Sequence, residues 1–179
     1  MRFFYVRHGQ TDWNLAGKMQ GGQTERQLNE TGIHQAEETR KILEGKEFDL
    51  VIVSPMKRAK QTANIIIDNR NVPVIIDDRL RERKLGELEG NTITEQCEEE
   101  IWDCKLNKSY KNGESVLEFE KRVLEFIEEA KKKYKDKTVL IVAHGGVAKV
   151  FKKYLYGTPK DDNLNQYDMK NCEIIEAEI

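Results

Sequence analysis

No apolar stretch in the 179-residue chain approaches the roughly 18 residues that a membrane-crossing helix needs; the longest runs from Val139 to Ala143. Met1 to Val6 is too brief for a secretory leader, so the expected location is cytoplasmic, with no membrane partner. Cysteine is scarce too. Cys97, Cys104 and Cys172 are an odd number without a paired CxxC spacing, which excludes a disulfide framework and a zinc site and leaves them reduced and structural. Net charge is almost missing: 30 Lys and Arg against 32 Asp and Glu leave −2 although 35% of residues are charged. Such a chain has no global field to draw in polyanions, and nucleic acid is excluded as a first expectation. Neither HExxH nor a Gly-x-x-x-x-Gly-Lys-Thr/Ser loop occurs, so no metal and no cofactor are expected. What remains is ample apolar content, 38%, which excludes disorder, in a length that suits one domain over residues 1–179.

Short apolar runs alternate with helical patterns. Phe3 to Val6, Leu50 to Val53, Pro73 to Ile76 and Thr138 to Ala143 read as strands, the first, second and fourth apolar enough to be buried on both faces. Between them, loose helical spacing covers Thr31 to Leu43, stopped by Gly45. A second helix follows Leu50 to Val53, with Ser54 as its N-cap, Pro55 at its first position and Ala59, Thr62, Ala63 and Ile66 on one face. Ser115 and Glu118 form a capping box that opens the best-defined helix, whose apolar face runs Val116, Phe119, Val123, Phe126, Ile127, Ala130 and Tyr134. Lysines 131, 132, 133, 135 and 137 read as its solvated C-terminal end. Another helix opens at Gly146, and Asp77 to Gly113 is charged and weakly periodic, with a loop and a short helix around Ile101 and Trp102. The alternation predicts an α/β fold: a single-domain three-layer sandwich, its sheet mainly parallel, with helices on both faces.

Two of the strands end in a His-Gly pair, His8-Gly9 and His144-Gly145, and the carboxyl edge of such a sheet is where ligands bind. Of the three histidines, His34 lies on a helix and reads as surface, whereas His8 and His144 share this placement. Arg7 adjoins His8 and Arg58 stands one turn into the helix after the second strand; arginine is the side chain that takes phosphoryl oxygens bidentately. Glycine amides after each histidine and the positive end of the helix at Gly146 add to an anion pocket. Singly, each arginine is more simply read as an ion-pair partner; the convergence carries the reading. Arginine charge disfavours an imidazolium, which leaves a neutral histidine able to attack phosphorus. A carboxylic acid is needed to protonate the departing oxygen and then deprotonate water, and Arg81-Glu82-Arg83 offers a candidate.

Arg7-His8-Gly9-Gln10-Thr11 with Asn14 resembles the R-H-G-x-T-x-x-N signature of the histidine phosphatase superfamily, in its phosphoglycerate mutase-like branch. Ser54 to Ala63 is similar to that family's S-P-L-x-R-A-x-x-T-A segment, Leu80-Arg81-Glu82 through Gly86 to Glu89-Gly90 to its acidic motif, and Ala143-His144-Gly145-Gly146 to its second histidine motif. The resemblance implies that His8 is the phosphorylated nucleophile, Glu82 the proton donor, and Arg7, Arg58 and His144 the phosphate clamp, completed by Asn14. It also implies substrate contacts from Gln20, Gly21 and Gly145. Leu28-Asn29 falls one residue later than the family spacing, with Thr24 or Glu25 where an Asp is expected. Asn171, before the last strand, is read as structural, and Trp13 as packing.

The expected activity is metal-independent hydrolysis of a small soluble phosphomonoester. The interval from Glu82 to His144 is short beside mutases of the family, which favours a phosphatase over a cofactor-dependent phosphoglycerate mutase. A non-catalytic module binding phosphoryl ligands is the contrasting class. The partner is a small phosphorylated metabolite, and self-association, a homodimer included, is left open.

Overall fold

The computed structural model describes residues 1–179. Its centre is a five-stranded sheet of order β3-β2-β4-β1-β5, formed by β1 (Arg2–Arg7), β2 (Leu50–Val53), β3 (Val74–Ile76), β4 (Thr138–Ala143) and β5 (Ile174–Glu178). β4 pairs in parallel with both β1 and β2, β2 pairs in parallel with β3, and β5 alone runs antiparallel, against β1. The helices are α1 (Asp12–Leu15), α2 (Glu30–Ile42), α3 (Lys57–Ile67), α4 (Glu95–Trp102), α5 (Val116–Lys133) and α6 (Gly145–Tyr156). None is long and apolar enough to cross a membrane.

The period of two along each strand divides the core between the faces. Phe3, Tyr5, Leu50, Ile52, Val139 and Ile141 pack on the side of α5 and α6. Phe4, Val6, Val51, Val53, Leu140 and Val142 pack against Leu43, Ala59, Ala63 and Ile66, on the side of α2 and α3. This is the expected α/β architecture. β3, apolar though it is, lies at the edge with Val74, Ile75 and Ile76 all exposed. The Ser115–Glu118 capping box opens α5, and Lys132 and Lys133 in its last turn, with Lys135 and Lys137 beyond it, are exposed.

α2 and α6 each begin one residue earlier than expected, and the start of α3 differs for a physical reason. α3 begins at Lys57 behind a Met56 N-cap without a side-chain cap bond, because the Ser54 hydroxyl is engaged elsewhere, 2.7 Å from His144 Nε2. The weakly periodic middle of the chain is ordered by two arginines, not by its own hydrophobic pattern. Arg83, fully buried, donates to the carbonyl oxygens of Glu114, Ile101 and Lys108. Arg122 on α5 donates to those of Arg79, Arg81 and Glu82 and pairs with Glu114 at 2.6 Å. A guanidinium's planar fork of donors suits this capture of several carbonyls at once.

The register fixes where the chemistry gathers. β1 and β4 end on the pair Arg7–Ala143, and β2 and β4 on Val53–Val142. The next residues, His8, His144 and Ser54, therefore leave three neighbouring strands at one edge.

Candidate active site

His8 is tied into the sheet by its backbone, whose N–H donates to Ala143 O at 2.9 Å, while its carbonyl accepts from Asn171 Nδ2 at 2.9 Å. Arg58 Nε donates to His8 Nε2 at 3.2 Å. A guanidinium can only donate, so Nε2 carries a lone pair and the ring proton sits on Nδ1, which donates to Gly9 O at 2.8 Å. The His144 ring stands edge-on to it, with centroids 5.2 Å apart. The two histidines that end adjacent strands thus meet. His34 is exposed and pairs only with Glu37.

Both imidazoles are buried and both are held well below the ordinary histidine pKa. For each, loss of water is the larger cause and the Arg58 charge the next; the sequence pointed to arginine alone. They stay neutral across the physiological range, as a nucleophile requires. The sign for stability follows. Below pH 6.5 the unfolded chain takes up protons that the folded site refuses, so stability present above that value is lost as pH falls, by up to about 1.4 kcal/mol per pH unit for each imidazole. Urea unfolding at pH 7.5 and 5.0 is expected to show a smaller pH-dependent loss in His144→Asn than in the parent; equal losses would mean that the buried ring is not the source.

Arg7 lies beside His8, and its Nη1 donates to Met169 O. Arg7 Nε and His144 Nδ1 are buried nitrogens with no partner inside the protein. Leaving a buried polar group unpaired costs about 1–3 kcal/mol; two such atoms around the His8 ring mark a place suited to a ligand's oxygens. Arg58, fully buried, sits behind His8 and donates to Gly21 O and Thr24 O at 3.2 Å each. Burial lowers its pKa to about 10, which leaves it cationic at neutral pH.

The remaining residues singled out by sequence are only partly convergent. Asn14, Gln20 and Gly145 line a cavity of about 120 Å³ together with Arg7, His8 and Glu82. Gly21 is not in that lining: its carbonyl faces Arg58, and a Cβ there would meet Glu89 Oε1 at 2.3 Å. The Gly9 amide does not await an anion, since it donates to Thr62 Oγ1 at 3.0 Å. Asn14 caps its own helix, with Oδ1 accepting from Thr11 N at 3.1 Å. Trp13 packs, beneath Arg26 at 4.0 Å. The three cysteines are free thiols.

Glu82 is buried at the cavity wall. Its Oε1 accepts from Arg83 N at 2.8 Å and its Oε2 from Gly146 N at 3.0 Å. The positive end of α6 therefore meets this carboxyl group, where the sequence had suggested a phosphate. Position 146 must be glycine, because a Cβ would fall 2.2 Å from Glu82 Oε1 and 2.5 Å from Trp102. The Glu82 carboxyl group is thus held at the wall of the cavity that His8 also lines by two backbone amides, one on each oxygen.

Several participants were not singled out as site residues from the sequence. Ser54 contacts the His144 ring, and the Tyr5 hydroxyl accepts from His144 N and donates to its carbonyl. Arg122 holds the Glu82 carbonyl at 3.0 Å. Lys149, 5% exposed, lines the cavity with Trp102; the visible signal was a lone lysine inside the apolar run Val147 to Phe151.

The chain resembles known phosphatases in sequence and in fold. An uncharacterized phosphatase, PhoE, of Bacillus subtilis is 39% identical over 78% of this chain and 69% of its own. A metal-independent phosphoserine phosphatase of Arabidopsis thaliana is 40% identical over 79% of this chain and 63% of its own. The structure of mycobacterial glucosyl-3-phosphoglycerate phosphatase in complex with VO3 superposes with a TM-score of 0.83 at 28% identity, covering 98% of this chain and 91% of that one. Residues 3–179 match the histidine phosphatase superfamily, branch 1, and the chain belongs to that family.

Proposed function

We propose that the chain is a metal-independent phosphatase that hydrolyses a small phosphomonoester through a phosphohistidine on His8, with Glu82 as general acid and then general base. The observation that carries this reading is the neutral His8 ring, its Nε2 lone pair held toward Arg58, facing a cavity that also contains Arg7 and Glu82. Nε2 attacks phosphorus while the bond to the ester oxygen breaks, and the protonated Glu82 gives its proton to that oxygen. Water then attacks the phosphoryl group, Glu82 takes a proton from it, and the P–N bond returns its electron pair to Nε2. Arriving phosphoryl oxygens exchange the Arg58 N–H···N bond for N–H···O, and supply partners for Arg7 Nε and His144 Nδ1.

Hydrolysis of p-nitrophenyl phosphate in EDTA tests the reading, and steady turnover is expected. No turnover of any phosphomonoester between acidic and neutral pH would favour a binding module. Interconversion of phosphoglycerates stimulated by a bisphosphate primer would favour a mutase.

Glu82→Gln keeps the size of the side chain and removes its proton. Alkyl phosphates, whose alkoxide leaves only with a proton, are expected to lose about 10²- to 10⁴-fold in rate. p-Nitrophenyl phosphate should lose far less, since nitrophenolate leaves unaided. Equal losses on both substrates would remove Glu82 from the acid role.

A further inference from the structure

Ser54 takes no part in the phosphoryl transfer as described, yet it touches a residue that does. It leaves β2 at the sheet edge, is fully buried, and is fixed through its backbone, whose N–H donates to Val142 O at 3.0 Å. Its hydroxyl lies 2.7 Å from His144 Nε2 and accepts from Met56 N at 3.4 Å. The His144 main chain is held separately: the Tyr5 hydroxyl accepts from its N–H at 3.0 Å and donates to its carbonyl. Peptide and ring are therefore both tied, and the polar atom of this residue left without a partner is Nδ1.

The available hydrogens determine which ring nitrogen is protonated. A neutral imidazole has a single N–H, and a serine hydroxyl has one proton and two lone pairs. Met56 N–H occupies one lone pair of Oγ. If Nε2 carried the ring proton it would take the other, and the hydroxyl proton would be left in a dry interior with no acceptor, a costly arrangement. With the ring proton on Nδ1, the hydroxyl donates to Nε2, and the one unmatched group is an N–H beside the His8 ring, 5.2 Å away between centroids. His8 is wired the other way, its Nδ1–H spent on Gly9 O and its Nε2 keeping a lone pair. Two identical side chains are set to opposite tasks by the partner that each ring is given.

We propose that Ser54 is a positioning residue for the phosphatase reaction: it fixes the tautomer of His144, so that Nδ1 presents its proton to an oxygen of the phosphoryl group bound at His8. The inference rests on the phosphatase reading and adds to it a residue that acts at one remove. In the opposite tautomer a lone pair on Nδ1 would face that oxygen and repel it.

Nitrogen-15 NMR of histidine-labelled protein reads the tautomer without turnover, because protonated and bare ring nitrogens resonate far apart; the His144 signals are those missing from His144→Asn. The resting parent enzyme is expected to show Nδ1–H, and a proton on Nε2 there would overturn the assignment before any variant of Ser54 is made. In Ser54→Ala the ring loses its fixed donor and should populate the Nε2–H form, while kcat/KM for p-nitrophenyl phosphate falls about 10- to 100-fold, the worth of one donor to a charged oxygen. Ser54→Thr keeps the hydroxyl and should keep both the Nδ1–H signal and most of the rate. A serine that served packing alone would matter equally with or without the ring, whereas here Ser54→Ala is expected to cost less than about threefold in a His144→Asn background. An undiminished cost in that background would overturn the proposal, and so would a folded Ser54→Ala with the parent's rate and tautomer. Hydrolysis alongside an Nε2–H ring would sink only this inference; an Nδ1–H ring in a protein that hydrolyses no phosphomonoester would sink the phosphatase reading beneath it.

Discussion

Replacing His8 by alanine is expected to reduce turnover on the order of 10⁴-fold or more, because a catalytic unit that loses its nucleophile retains only what binding and charge stabilisation supply. The loss should fall equally on p-nitrophenyl and alkyl phosphates, in contrast to Glu82→Gln, since both ester types need the same bond from Nε2. His8 contributes little else: its ring makes one bond to Gly9 O and accepts one from Arg58, while its backbone anchors, to Ala143 and Asn171, do not depend on the side chain. Folding should therefore survive, as a retained cooperative thermal transition would show. Retention of more than a few per cent of the parent rate in the pure variant would assign the nucleophile to another group.

Arg58→Met should have the next largest effect, about 10³-fold in kcat/KM. On the proposed reading the guanidinium stabilises the charge that develops on the transferring phosphoryl group; it also helps keep the imidazoles neutral and holds the segment Gly21 to Thr24 through two carbonyls. Methionine fills the same buried space but leaves both carbonyls and His8 Nε2 without their donor. A loss of thermal stability should accompany the loss of rate, since a buried acceptor deprived of its partner costs about 1–3 kcal/mol. Arg58→Lys separates the roles. It restores the charge but cannot reach His8 and two carbonyls at once, and should recover rate only in part. Full activity in Arg58→Lys would show that charge alone matters at this position, and full activity in Arg58→Met would remove the arginine from the phosphoryl site.

The parts of this site legible in the sequence are those that strand geometry dictates. His8 and His144 each follow a short apolar run, and parallel pairing of those runs in register leaves the two residues no other place than side by side. Arg58 was legible because the helix after β2 starts close to the same edge. The anion-binding role expected of the glycine amides was not legible in detail: whether the Gly146 N–H meets a carboxylate or a phosphate depends on where Glu82 folds back, and that is decided by Arg83 and Arg122 capturing carbonyls from residues distant in sequence. A segment ordered by such capture has no hydrophobic period to read. Ser54 shows the same limit on a smaller scale, since a hydroxyl before a helix is a natural N-cap, and only the neighbouring strand reveals that the His144 ring has claimed it. Lys149 was hidden by its type, because a lysine on a helix ordinarily faces water.

Mixing the enzyme with a phosphorus-labelled monoester and quenching in alkali within the first turnovers examines the covalent step directly. A phosphoramidate on His8, stable in alkali and labile in acid, that forms and decays no slower than turnover and is absent from His8→Ala, is the result that neutral imidazoles and an opposed Glu82 predict. Turnover without label on His8, or an equal label in the alanine variant, would contradict it.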